Sequence, residues 1–235
     1  MDRSIFVALS GAMAQQKRLE TASYNISNAD TAGYKKQDNV FSAIFTDALK
    51  AYPVDDGIEI DMTQGAVRNT GNQFDMAIMG NGFFVVNTPQ GERYTRQGDF
   101  TVNAEGILST KEGYPVSGEG GEIQIIGEKI VVNEAGEVSG GKKMPKKQLS
   151  LVSFDDDTKF IKEGQYYSVL SGGVNKTPAL GEIAVVQGNL EVSNVNAAKE
   201  MVNLIEIIRI YDSQGKMIQT LDDIAKKAIN DIGAF

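Results

Sequence analysis

NISNADTAGYKK, residues 25–36, closes a long helical pattern at the front of the chain. Ahead of it, Ile5, Leu9, Ala12, Gln16, Leu19 and Ile26 recur at spacings near three or four. Ala8, Met13 and Ala22 widen that stripe, and no proline interrupts it, so the pattern predicts a helix over residues 1–28. Within the quoted stretch, asparagine and aspartate compete for backbone hydrogen bonds and favour caps and turns. Gly33 can take a positive φ and end the helix, while Thr31 can bond nearby backbone. Tyr34 and Phe41 can fold onto an apolar neighbour, and Lys35 and Lys36 can oppose the negative end of the helix. By itself the stretch reads as a helix stop.

A second helix is predicted over residues 196–229, with Asn196 as its N-cap. Met201, Leu204, Ile208, Tyr211, Ile218, Ala225 and Ile229 form a heptad-like seam that Gly215 and Asp222 interrupt. Val202 and Ile205 add another apolar face, and a helix apolar on two sides needs two neighbours. A helix of about 25 residues is about 38 Å long and takes its stability from packing.

Between these helices the period changes. All the glycines except Gly11, Gly33, Gly215 and Gly233 lie from Gly57 to Gly188. Short runs such as FDMAIM, GFFVVNT, ERYTRQ, KIVVN and EIAVVQG alternate with turn signals such as PQGE, NAEG and NEAGE, the mark of an antiparallel hairpin-rich domain. Phe83–Val86 is apolar throughout and should be a central strand. The expected fold class is α+β: paired N- and C-terminal helices, coiled-coil-like, with the β domain inserted between them. The pair leaves apolar surface for other chains to cover.

The composition removes several chemistries. With 235 residues the chain can bury a sizeable core. It has neither cysteine nor histidine, which excludes thiolate nucleophiles, disulfides, imidazole bases and the usual zinc ligands. A formal charge of −8 disfavours nucleic acid and anionic lipid as partners. Lys142, Lys143, Lys146 and Lys147 read as a solvated loop. Residues 1–20 do not read as a secretory signal peptide, since their apolar residues are spaced and Asp2 and Glu20 flank them. No stretch reaches the length of a membrane span, so no membrane insertion is expected.

Nothing points to catalysis, a cofactor or a metal. Asp155-Asp156-Asp157 lacks the alternate spacing and final glutamate of a calcium loop. Gly80–Gly82 and Gly118–Gly121 lack the lysine and following helix of a phosphate loop. Glu119 with Glu122, or Asp55 with Asp56, could act as a carboxylate pair only if something set their separation. The competing class is a soluble binding module with coiled-coil dimerisation, which would form a fixed small oligomer.

Asn25-Ile26, Asn28, Thr31, Gly33, Tyr34 and Lys35 match the A-N-N-L-A-N-x-x-T-x-G-[FY]-[KR] pattern of bacterial flagellar rod and hook proteins. Ser23, Tyr24 and Ser27 depart from its usual Ala-Asn and Ala. Gln187–Asp223 resembles that family's C-terminal Q-G-x-L-E-x-S-N-V-N-x-x-x-E-M-x-x-L-I segment. Gly80–Phe84 and Tyr94–Phe100 resemble its G-x-G-F-F and Y-T-R-x-G-x-F blocks. Within the family, residues 1–6 and 113–121 are similar to the proximal (F-type) rod branch, with the distal (G-type) branch next.

The resemblance implies a self-assembling subunit of the basal-body rod, exported through a type III apparatus and joined to other rod proteins and to copies of itself in the periplasm. It implies three regions: residues 1–34 and 195–235 as a terminal-helix inner domain, 35–70 as an extended link, and 71–190 as a β-rich outer domain. Candidate assembly residues are Ile5, Leu9, Leu19 and Ile26 in front, and Met201, Leu204, Ile208 and Ile218 behind. Asn25, Asn28, Thr31, Gly33, Tyr34 and Asn194 complete the set, the asparagines as hydrogen-bonders whose buried amides need partners.

Overall fold

A computed structural model describes residues 2–44, 52–127, 129–140, 145–155, 158–175 and 183–232. Helix α1 spans Asp2–Ser27 and helix α2 spans Ala197–Ile232, with a β-rich region between them. Asn196 caps α2: its Oδ1 accepts the Lys199 N–H at 3.0 Å, and its carbonyl accepts the Glu200 N–H at 2.9 Å. Glu200 in the first turn lies at the positive end of the helix dipole. At the end of α1, the Asn28 N–H reaches both the Tyr24 and Asn25 carbonyls, and the Ala29 N–H reaches Ile26, a tightened last turn. Gly33 does adopt a positive φ, 67°, but well beyond the helix end, so it is not the residue that stops α1.

The chain divides into two compact units. The first comprises Met1–Ala29, Lys36–Asp61 and Val195–Phe235. Here α1 packs on α2 and on an antiparallel hairpin, β1 (Gln37–Ile44) with β2 (Tyr52–Ile60), whose register runs from Gln37↔Ile60 to Ile44↔Tyr52 and shifts between Val40 and Phe41. The helix seam is built from Ala8 and Ala22 on α1 and Ile207 on α2, all buried, with Leu19, Ile26, Leu204 and Ile218 half-buried beside them. The seam of α2 is therefore rotated from the one its heptad-like spacing suggests. Met201, Ile208 and Tyr211 face outward, and Ile207 faces in. Apolar residues surround the first half of α2, so periodicity alone did not select the inner face.

The second unit comprises Asp30–Lys35 and Met62–Asn194. Its largest sheet orders six strands as Lys159–Glu163, Tyr166–Ser171, Gly91–Thr95, Gly82–Thr88, Leu151–Phe154 and Val174–Asn175. Gly82–Thr88 lies inside the sheet and is buried on both faces over Gly82–Val86, as its unbroken apolar run predicts. Phe84 and Val86 enter the main core with Met76, Phe100, Leu108 and Val116. On the other side, Phe83 meets Phe154 edge to face at 5.1 Å and Tyr167 at 5.8 Å. Two shorter antiparallel pairs tie remote parts of this unit together: Met76–Met79 with Ala184–Gln187, and Val67–Asn69 with Asn189–Glu191.

A candidate assembly site and its anchoring strap

Residues Asp30–Lys35 form a strap within the β-rich unit, and its end is tied down by charge. Lys35 is fully buried. Its Nζ lies 2.7 Å from Glu191 Oε1 and donates to the Thr63 carbonyl at 2.7 Å. Glu191 turns its other oxygen to Arg96 Nη1 at 3.3 Å, and Oε1 also accepts the Gly65 N–H at 3.0 Å. Arg96 donates further to the Ile78 and Gly80 carbonyls and stacks over the Phe83 ring at 5.0 Å. One carboxylate thus serves two buried cations, and backbone carbonyls take further donors from both, while Arg96 Nε is buried without a hydrogen-bond partner. Such a cluster holds only when its members are matched, because each buried charge alone is expensive. Burial lowers the Arg96 pKa from its ordinary value, and Glu191 opposes the shift.

The strap is also fitted sterically. The Gly33 N–H donates to the Glu191 carbonyl at 2.8 Å, and a Cβ on Gly33 would sit 2.4 Å from the Arg96 carbonyl carbon. Positive φ and this close approach both require glycine. Thr31 closes a turn by accepting the Tyr34 N–H at 3.3 Å. Tyr34 is buried, with the Lys162 Nζ 3.5 Å from its ring centre, and Lys162 also donates to the Lys35 carbonyl at 3.3 Å. Burial pushes the Lys162 ammonium down to about 7.

In the helical unit, Asn25 acts as a piece of backbone. Its Nδ2 donates to the Gln37 carbonyl at 2.7 Å and its Oδ1 accepts the Gln37 N–H at 3.0 Å, both buried. Lys36 bridges Asp38 at 2.9 Å and Glu200 on α2 at 3.4 Å. Neighbouring lysines therefore serve different carboxylates. Lys35 opposes Glu191 rather than the negative end of α1.

Three family profiles match separate segments of the chain. Residues 5–35 match "Flagella basal body rod protein", 77–140 match "Flagellar hook protein FlgE/F/G D1 domain", and 186–231 match "Flagellar basal body rod FlgEFG protein C-terminal". The chain is 35% identical over 245 residues to the flagellar basal-body rod protein FlgF of Caulobacter vibrioides, with 99% of each chain covered. It is 34% identical over 246 residues to FlgF of Rhizobium meliloti, again with 99% of each covered. It is 30% identical over 256 residues to FlgG of Buchnera aphidicola subsp. Acyrthosiphon pisum, covering 95% of this chain and 97% of that one.

The chain belongs to the flagellar basal-body rod protein family.

The three segments that carry the family meet in the strap cluster: Lys35 from the first, Arg96 from the second and Glu191 from the third. Gly98, in the same block as Arg96, lies so close to Met76 that a Cβ would overlap its carbonyl oxygen, 1.6 Å away. The rod-family blocks thus mark places where backbones touch or charges are buried.

The candidate assembly residues fall into separate groups. Leu9 on α1 and Met201 on α2 are half exposed, at 50% and 52%, and Ile208 is also exposed. Leu19, Ile26, Leu204 and Ile218 are half-buried at or beside the seam. The Ile5 side chain lies outside the described residues. Asn25 finds partners within its own chain. Asn28 Nδ2 donates to the Tyr24 carbonyl at 2.8 Å, and Asn194 Nδ2 donates to the Thr63 carbonyl at 3.2 Å. Thr31, Gly33 and Tyr34 all belong to the strap.

Gly118 and Gly121 pair across a tight hairpin, with Glu119 and Glu122 exposed. Asp156, Asp157 and the Asp55 and Asp56 side chains lie outside the described residues, as do Lys142 and Lys143. Among the described residues no group of three or more acidic side chains is placed to hold a metal. No described helix is long and apolar enough to cross a membrane.

Proposed function

We propose that this chain is a structural subunit of the flagellar basal-body rod, of the proximal type, which joins copies of itself and related rod proteins into a helical shaft that transmits motor torque. The observation that carries this reading is the second apolar face on each terminal helix. Opposite the seam, α1 exposes Leu9 and Met13, and α2 exposes Met201, Val202 and Ile205. Apolar stripes on both sides of a helix call for neighbours on both sides. Within the chain α2 packs on α1, and α1 packs on α2 and the β1–β2 hairpin, yet Leu9 and Met13 on α1 and Met201, Val202 and Ile205 on α2 stay exposed. Stacked copies supply the missing neighbours. The named relatives are rod proteins along their whole length, which supports the same reading.

In this reading residues 1–34 and 195–235 form the inner layer of the shaft, 35–70 the link, and 71–190 the outer domain. Many weak apolar contacts around a lattice share a torsional load, and a heterologous contact that does not close makes a filament. The role is mechanical and not catalytic. Its place is the rod as it crosses the periplasm, reached through the type III export apparatus. Electron microscopy of isolated basal bodies, with side chains traced, tests the proposal. Density for this chain in the rod, with both outer helix faces covered, is the expected result. A rod lacking the chain, or containing it with those faces bare, contradicts it.

A further inference from the structure

The α1–α2 pair is tied firmly at one end. There the Asn25 side chain holds Gln37, and Lys36 reaches Glu200 on α2. From Asn25 back to Gly11 the helix runs about 21 Å at 1.5 Å per residue. Along that length the buried residues of α1 are the small Thr21 and Ala22, with Leu19 half-buried beside them, and Ala8 lies beyond Gly11. Small side chains let backbones approach but discriminate poorly between one axial setting and the next.

Something different occurs at Gly11. Its missing side chain leaves room for the Gln214 amide of α2: a Cβ there would sit 3.0 Å from Gln214 Nε2. Gln214 Oε1 and Gln15 Oε1 are both shielded from solvent and accept no hydrogen bond. A seam that served stability alone would carry leucine at these positions. Buried amides in a helix pair weaken it. The notch at Gly11, the only glycine of α1, nevertheless admits the Gln214 side chain in this alignment, and a slip along α1 would drive that side chain against a residue that carries a Cβ.

We propose that Gly11, Gln15 and Gln214 form a polar layer that fixes the axial register of α1 against α2 in the far half of the pair. With the Asn25–Lys36 tie, it gives the pair two fixed points. The outward residues of both helices then hold one spacing relative to each other, which a repeating lattice requires.

The chain has no cysteine, so two introduced thiols can carry spin labels without interference. Met13→Cys and Gln219→Cys lie on α1 and α2 and are exposed. Double electron–electron resonance on the full chain reads the distance between them. The expected result is one narrow distribution in the parent. In the Gln15→Leu/Gln214→Leu background it broadens or gains a component displaced by about 5 Å, one helical turn. Gly11→Ala is the second variant. Alanine favours helix over glycine, yet its Cβ displaces the Gln214 amide, so the distribution should broaden while circular dichroism shows no loss of helix. Unchanged distributions in both backgrounds overturn the proposal, whether they are narrow or broad. Broadening that always accompanies helix loss overturns it too.

Discussion

The Lys35 ammonium lies 2.7 Å from Glu191 Oε1, and neither side chain reaches solvent. The pair joins residues 156 positions apart in the chain, and Glu191 is shared with Arg96. This asymmetry makes a prediction. Glu191→Gln leaves two buried cations opposed by a neutral amide, whereas Lys35→Met leaves Glu191 still paired with Arg96. Removing one partner of a buried pair costs about 3–5 kcal/mol. Urea denaturation should place Glu191→Gln at or above that range and Lys35→Met clearly below it. The reverse order would mean that Glu191 is not the hub of the cluster.

Gly33→Ala tests the steric fit of the strap. The substitution must hold a positive φ and place a methyl 2.4 Å from backbone. The conformational part alone costs roughly 1–2 kcal/mol, and the contact adds to it. A loss of less than about 1 kcal/mol would show that the strap can move aside.

Asn25→Ala removes both hydrogen bonds to Gln37 and leaves a buried N–H and carbonyl unpaired, at about 1–3 kcal/mol each. Asn25→Asp keeps the acceptor for the Gln37 N–H and loses only the donor. Amide exchange at Gln37 should therefore rise strongly in the alanine variant and less in the aspartate variant. Equal rates in both variants count against the pairing.

The half-buried Lys162 gives the protein a pH dependence. Burial lowers its pKa from 10.5 to about 7, and the ring faces of Tyr34 and Tyr167 oppose the shift by favouring the charged form. Between those two values the unfolded chain binds the Lys162 proton and the folded chain releases it. Stability therefore rises with pH across that window. Below about 7 both states are protonated, and the contribution is absent. Denaturation midpoints measured from pH 7 to pH 10 should climb in the parent and climb less in Lys162→Met. Parallel curves would remove Lys162 as the source.

The terminal helices were legible because their periodicity is local, and Asn196 announced the start of α2 by its residue type. The strap was half legible. NISNADTAGYKK showed that something specific follows α1, but the partners of Lys35 lie in other blocks, and local spacing carries no information about them. Arg96 lies in the largely polar run ERYTRQ and Glu191 lies beyond the last strand run, EIAVVQG, so neither stood out as a charge that burial would oblige to pair. Asn25 was legible as a residue needing partners, though those partners proved to be the backbone of Gln37. The face of α2 that meets α1 was not legible, because Met201, Leu204, Ile207 and Ile208 are all apolar and only packing chooses among them.

In the rod arrangement proposed above, neighbouring subunits cover the outward faces of α1 and α2. Leu9→Cys and Met201→Cys each place a single thiol on one of these faces, and Val131→Cys places one on an exposed strand of the β-rich unit as a reference. Maleimide labelling should be fast at all three sites in the free protein. In purified basal bodies, labelling at positions 9 and 201 should slow by at least about tenfold relative to position 131, equivalent to about 1.4 kcal/mol of protection. Labelling of Leu9→Cys and Met201→Cys at the free-protein rate inside assembled rods would mean that these faces stay bare and the helices do not build the shaft.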